Sequence, residues 1–264
     1  MLKFALNHMT TPSLTMEQLV SLADELGLVG VELRNDLAHP MFDGATPAVV
    51  ANQNIPILAL AEVKAFNDFS RDTLNAATAL MDLAVEAGAP AIALIPKVGG
   101  SPVAETDLRA ALTGLAPELE MRGLIGLIEP IGFASSSLRF KAEVVNLINE
   151  LDIGGQFGLI HDTFHHALSG EGEVFPKHTK LVHISGVMNA KMAFTSMGDE
   201  DRALVEAGDR LGNVKQISEL MRGGYSGPFS FEAFSPDVHA LDDPKAALSR
   251  SIRFIENSVM AHAA

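Results

Sequence analysis

Eight short apolar runs recur along the chain, at residues 2–6, 29–33, 55–61, 91–95, 124–128, 157–160, 181–184 and 229–231. Each is too short for a typical helix and lacks the alternation of a half-exposed strand, so each reads as a strand covered on both faces. Longer stretches with apolar positions at helical spacing lie between them, at residues 16–26, 71–87, 105–122, 140–151, 214–222 and 244–259, with a short segment from 47. The boundaries carry their own chemistry. Thr15 with Gln18 makes a capping box, Gly27 stops the helix that it opens, Thr46-Pro47 puts proline at a first helical position, and Ser70 caps the helix that follows. Pro117 is the one awkward residue inside the 105–122 helix.

Strand and helix therefore alternate, which predicts a parallel sheet joined by helical crossovers. Eight such units in 264 residues favour closure into a (β/α)8 TIM barrel, one domain over residues 1–264, over an open doubly wound sheet. A dinucleotide-binding reading lacks its G-x-G-x-x-G after the first strand, and no Walker A loop occurs.

Composition narrows the partners. The net charge of −14, spread along the chain, opposes a nucleic-acid partner. With no cysteine, disulfides, thiolate nucleophiles and Cys-ligated zinc are excluded. No apolar run reaches membrane-span length, and the first residues enter a strand pattern without a signal-peptide core. The expectation is a cytoplasmic protein with a small-molecule substrate and no membrane partner; a homo-oligomer is compatible with it.

In a barrel the chemistry sits where the strands end, so the polar residue closing each strand is the informative one. These are Asn7-His8, Arg34, Glu62, Lys97, Glu129, Asp162, His183 and Glu232. The densest stretch is Gly-Leu-Ile-His-Asp-Thr-Phe-His-His-Ala-Leu at 158–168; alone it fits either a metal site or an acid–base site. The last four closures come from consecutive strands, hence from neighbours around the barrel mouth. Three carboxylates gathered there would repel one another or take up protons, and a divalent cation resolves this. Glu129, Asp162, His183 and Glu232 form an oxygen-rich set suited first to Mn2+ or Mg2+, with Co2+ and Zn2+ as further candidates.

With these residues in place, the chain resembles the xylose isomerase-like (sugar phosphate isomerase/epimerase) TIM-barrel superfamily, whose members carry Glu, Asp, His and Glu ligands on strands five to eight. The resemblance spans nearly the whole chain. The opening Leu-Asn-His-Met-Thr-Thr, Gly-Val-Glu-Leu-Arg at 30–34 and Asp-Glu-Asp-Arg at 199–202 resemble the inosose (2-keto-myo-inositol) isomerase branch more narrowly. It implies that His165, in an Asp-x-x-His pattern, faces the substrate and that Arg202 reaches a substrate oxygen. One departure is visible: many relatives have His-x-x-Asp after strand seven, where this chain has Gly186.

The remaining candidates have two readings each. Glu32 and Arg34 share a strand face, which predicts an ion pair near the rim, with substrate contact by Arg34 as the alternative. Lys97 is either a carbonyl-binding cation or a solvated charge, and His8 closes the first strand beside the expected mouth. His161 should point away from the barrel axis if Asp162 points inward. The implied reaction is isomerisation or epimerisation of a keto-polyol through an enediolate, with Glu129 and Glu232 exchanging the proton. A dehydratase on the same ligand set and a non-catalytic sugar-binding barrel are the competing readings. An abasic-site endonuclease of the same superfamily is opposed by the charge.

Overall fold

The computed structural model describes residues 2–263. Eight parallel strands close into a barrel in sequence order: β1 (Phe4–Asn7), β2 (Val31–Arg34), β3 (Ile57–Lys64), β4 (Ala91–Ile95), β5 (Ile125–Ile128), β6 (Phe157–Asp162), β7 (Thr179–Ile184) and β8 (Phe229–Phe231). The helices are α1 (Met16–Glu25), α2 (Pro47–Ala51), α3 (Arg71–Glu86), α4 (Glu105–Arg122), α5 (Lys141–Leu151), α6 (Thr163–Ser169), α7 (Asn213–Arg222), α8 (Pro236–His239) and α9 (Pro244–Ala263). The fold is a (β/α)8 TIM barrel. Thr15 and Gln18 make the expected capping box, and α4 runs through Pro117 without a break.

The sequence pattern did not foreshadow α6 or α8, which are too short to build a periodic apolar face. Two strands also run past their apolar stretches. β3 reaches Lys64 and β6 reaches Asp162, because backbone pairing with the neighbouring strand continues under polar side chains.

Alternation along the strands sorts the apolar residues into two cores. The larger fills the layer between sheet and helices, with Leu33, Leu60, Ile92, Ile128, Leu159 and Val182 meeting α1, α3, α4 and α5. The smaller joins Ala59, Ala61, Ala91, Ala93, Leu127, Ile160 and Leu181. Leu127, Ile160 and Leu181 stand two residues before Glu129, Asp162 and His183, and so share their face. The apolar plug of the barrel is thus the floor beneath the polar cluster.

Candidate metal centre

Glu129 follows β5, Asp162 ends β6, His183 lies near the end of β7 and Glu232 follows β8. The sheet register aligns Asp162 with His183 and His183 with Ser230, two residues before Glu232. One ligand atom from each of the four lies within 4.8 Å of the others, and all four residues are buried. Asp162 is also the N-cap of α6, its Oδ1 accepting from the His165 amide at 2.8 Å. The strand end and the helix start are therefore set by one side chain.

His183 Nε2 donates to Glu32 Oε2 at 3.0 Å, and Ser230 Oγ donates to Glu32 Oε1. That contact leaves Nδ1 facing the carboxylates, 3.1 Å from Glu232 Oε2 and 3.6 Å from Glu129 Oε1, buried and without a hydrogen-bond partner. Glu232 is held by three donors: Arg34 Nη1 at 2.7 Å and Asn7 Nδ2 at 3.3 Å on Oε1, and Arg202 Nη2 at 2.8 Å on Oε2. Among the described residues, none donates to the Glu129 carboxylate; its nearest ring nitrogens are those of His183 at 3.6 Å and His165 at 4.0 Å.

The electrostatics follow from these partners. Burial, reinforced by Glu232 and Asp162 and opposed by His183, pushes the Glu129 carboxyl up to about 7. Burial works against the Glu232 anion, but His183, Arg202 and Arg34 hold it well below the usual carboxylate range. Burial likewise opposes the His183 imidazolium, and Glu232, Glu32 and Glu129 together raise it well above its ordinary value. An unpartnered imidazole nitrogen beside three convergent carboxylates is a donor set that a divalent cation completes. The four residues fit such an ion, and Glu32 orients the histidine from behind. Glu32→Gln is expected to lower divalent-ion affinity by about 10- to 100-fold, as read by competition with a chelating dye; unchanged affinity would remove Glu32 from the site.

A cavity of about 450 Å³ opens beside the cluster and is lined by two of the four, Glu129 and Glu232. Of the expected substrate-facing residues, His165, Arg202, Arg34 and Lys97 all line it, as do Glu62, Phe133 and Phe234. His165 is buried, its ring edge-on to Phe133 and Phe164. Lys97 sits at the mouth with its Nζ 2.6 Å from Asp68. Arg202 is only 1% exposed and grips the cluster.

Two expectations are corrected. His8 does not line the cavity; its ring is fully buried and Nε2 donates to the Leu14 carbonyl at 2.8 Å. Asn7 is the residue after β1's apolar run that reaches the cluster, because only it lies on the inward face. The Glu32–Arg34 ion pair does not form either. Glu32 turns to His183 and Ser230, while Arg34 takes Asp36, Glu62 and Glu232. Both side chains point inward, but each meets its partners from other strands at its own height in the barrel.

His161 points outward as expected, its Nε2 donating to Gln216 Oε1 of α7 at 2.8 Å. His166 joins a buried tie between α5 and α6, in which Lys141 Nζ lies 2.6 Å from His166 Nδ1 and 2.9 Å from Glu171 Oε2. Burial and the Lys141 ammonium push His166 down to about 3, and burial holds His161 well below its ordinary value. The unfolded chain takes up protons at these rings near pH ~6.5, whereas the folded protein refuses them. Their contribution is therefore complete above that pH and lost as pH falls toward 3, at about 1.4 kcal/mol per pH unit for each ring. The urea midpoint should drop between about pH 7 and about pH 5, and less so in His166→Asn; equal slopes would contradict this.

The closed barrel gathers an imidazole and three carboxylates at the C-terminal ends of β5 to β8, a cluster that could hold a metal ion. The chain belongs to the xylose isomerase-like TIM barrel family, whose model matches residues 17–258. No curated protein matches it. Among solved structures, a xylose isomerase domain containing protein from Salmonella typhimurium is 28% identical, with a TM-score of 0.89 over 98% of this chain and 97% of that one. The IolI protein, solved with a bound zinc atom, is 19% identical at a TM-score of 0.83, covering 98% of both chains. An L-ribulose 3-epimerase is 15% identical at 0.72, covering 99% and 95%. The last two are likenesses of fold alone.

Proposed function

We propose that the chain is a divalent-metal-dependent isomerase or epimerase of an uncharged keto-sugar or keto-inositol. The observation that carries this reading is the convergence of Glu129, Asp162, His183 and Glu232 within 4.8 Å, with Glu129 and Glu232 also lining a cavity of about 450 Å³. That volume suits a monosaccharide-sized ligand. A divalent cation held there, with manganese first among the candidates, supplies Lewis acidity toward a carbonyl and its neighbouring hydroxyl.

The chain's own residues supply the rest. Glu129 faces the cavity without a hydrogen-bond donor of its own, so its carboxylate is free to take a proton from a carbon next to the carbonyl. Glu232, from a strand three places further round the ring, is the partner on the other side when the configuration inverts, passing on a proton that it first takes up from solvent against the hold of His183, Arg202 and Arg34 on its anion. His165 offers its ring nitrogen to a substrate oxygen, and Phe133, Ile131 and Phe234 keep water from the reacting carbons.

The charge of the substrate follows from the cations that line the cavity. Arg34 is paired with Asp36, Glu62 and Glu232, Arg202 with Asp162, Asp199 and Glu232, Lys64 with Glu62, and Lys97 with Asp68. None is left over for a phosphate, which supports a neutral polyol. Carbohydrate metabolism in the cytoplasm, with inositol catabolism among the candidates, goes with this reading. The test is a panel of inososes, ketohexoses and hydroxypyruvate in D2O with Mn2+, followed by NMR and mass. Deuterium entering an inosose or a ketohexose supports the reading, whereas uptake into the anionic hydroxypyruvate alone would overturn the neutral substrate. Loss of water from the labelled compound would redirect the assignment to a dehydratase, and no exchange with metal bound would overturn it.

A further inference from the structure

The proton chemistry does not explain what Arg202 does. Its Nη2 donates to Asp162 Oδ2 at 2.5 Å and to Glu232 Oε2 at 2.8 Å, so one nitrogen bridges two of the four candidate ligands. Nε donates to Ser185 Oγ at 3.1 Å and Nη1 to Asp199 Oδ1 at 3.2 Å. The guanidinium carbon lies 4.4 Å from the ring centre of Phe234 and 5.1 Å from that of Phe164.

The backbone around it is as firmly placed. The Arg202 carbonyl accepts from the amides of Phe234 and Ser235, in the loop after β8, at 2.9 and 2.8 Å. The loop after β7 folds back on itself where Gly186 and Ala203 exchange two backbone hydrogen bonds of 2.8 Å. A Cβ at Gly186 would displace Met188 Cε at 2.5 Å and press on the Leu204 carbonyl oxygen at 3.1 Å, so glycine lets this return close tightly. The residue that stands where many relatives carry an acid is thus part of the turn that delivers Arg202 to the ligands.

A guanidinium stays charged at any working pH, and this one is boxed in by two rings and two loops. It neutralises the carboxylates, yet its positive charge also sits beside the place where a cation would bind. Like charges in a buried site repel far more than in water. An arginine whose only task was to orient the ligands would strengthen metal binding, whereas a fixed charge bound to the same oxygens weakens it.

Resting on the metal-centre reading, we infer that Arg202 is a built-in counter-cation: it keeps Asp162 and Glu232 paired in the metal-free protein and lowers the affinity of the quartet for a divalent ion. It acts through the carboxylates and is a positioning residue. Its consequence is a centre that stays folded when empty and exchanges its metal readily.

The test uses the full chain stripped by chelation, with Mn2+ alone as the probe and Zn2+ in parallel, in wild type, Arg202→Met and Arg202→Lys. Calorimetric titration should show Arg202→Met binding at least about ten-fold more tightly than wild type. Arg202→Lys, which keeps the charge, should stay within about three-fold. Without metal, Arg202→Met should melt below wild type and be restored by Mn2+. Affinity in Arg202→Met equal to or below that of wild type overturns the inference. If Arg202→Met does not fold when metal-free, refolding in Mn2+ decides: recovery supports the counter-cation, and failure in saturating Mn2+ overturns it. Wild type that binds neither ion overturns the metal centre itself, and this inference with it.

Discussion

Glu129→Gln is expected to lower proton exchange on the substrate by roughly 10²- to 10⁴-fold while the barrel stays folded. Among the described residues Glu129 is the carboxylate of the cluster to which no donor is attached, so the substitution removes the proposed proton carrier and one candidate metal contact without orphaning a partner. Asp162, His183 and Glu232 remain to hold the ion. The measurement is solvent deuterium uptake, with bound metal quantified on the same samples. Full exchange in Glu129→Gln with metal bound would show that another group moves the proton. Glu232→Gln is the harsher change: an amide there meets Arg34, Arg202 and Asn7, three donors aimed at a side chain that would now present donors of its own.

The second large effect comes from a residue with no side chain. Gly132 lies in the loop after β5, where a Cβ would overlap the His165 carbonyl oxygen and sit 2.9 Å from its carbon and 3.0 Å from its Cα. Backbone at the start of α6 cannot swing aside as a side chain would, and Arg139 pins the Gly132 carbonyl at 2.9 and 3.2 Å. Gly132→Ala therefore has to move either the loop carrying Glu129 or the helix turn carrying His165. Displacements of about 1 Å at such positions cost roughly 10²-fold in turnover, and the strain costs about 1 to 3 kcal/mol of stability. Kinetics and urea unfolding of Gly132→Ala would show both losses; a variant equal to wild type in each would rule out the close approach.

The convergence of Glu129, Asp162, His183 and Glu232 was legible in the sequence because each member ends or follows a short apolar run, and consecutive strands of a barrel bring such positions together. Strand alternation also assigned His161 to the helix side. What stayed hidden was every pairing between residues far apart in the chain. Glu32 and Arg34 look like partners because they share a face, yet Glu32 finds His183 on β7 and Arg34 finds Glu232 after β8. His8 looked like the functional member of Asn7-His8 by chemistry, although the inward face belongs to Asn7. Arg202 sits in an acidic run that reads as solvated surface, and only the Gly186–Ala203 return carries it inside. A helix of about two turns such as α6 leaves no apolar period, so the sequence showed its histidines but not the helix that presents His165.

All of this depends on four side chains from β5 to β8 holding one divalent ion. The direct measurement is a crystal of the protein equilibrated with Mn2+, with diffraction recorded at the manganese edge. The account predicts one anomalous peak contacted by Glu129, Asp162, His183 Nδ1 and Glu232, with Glu32 still on His183 Nε2. A peak on other residues, or none, with Arg202 bridging Asp162 and Glu232 unchanged, would contradict it.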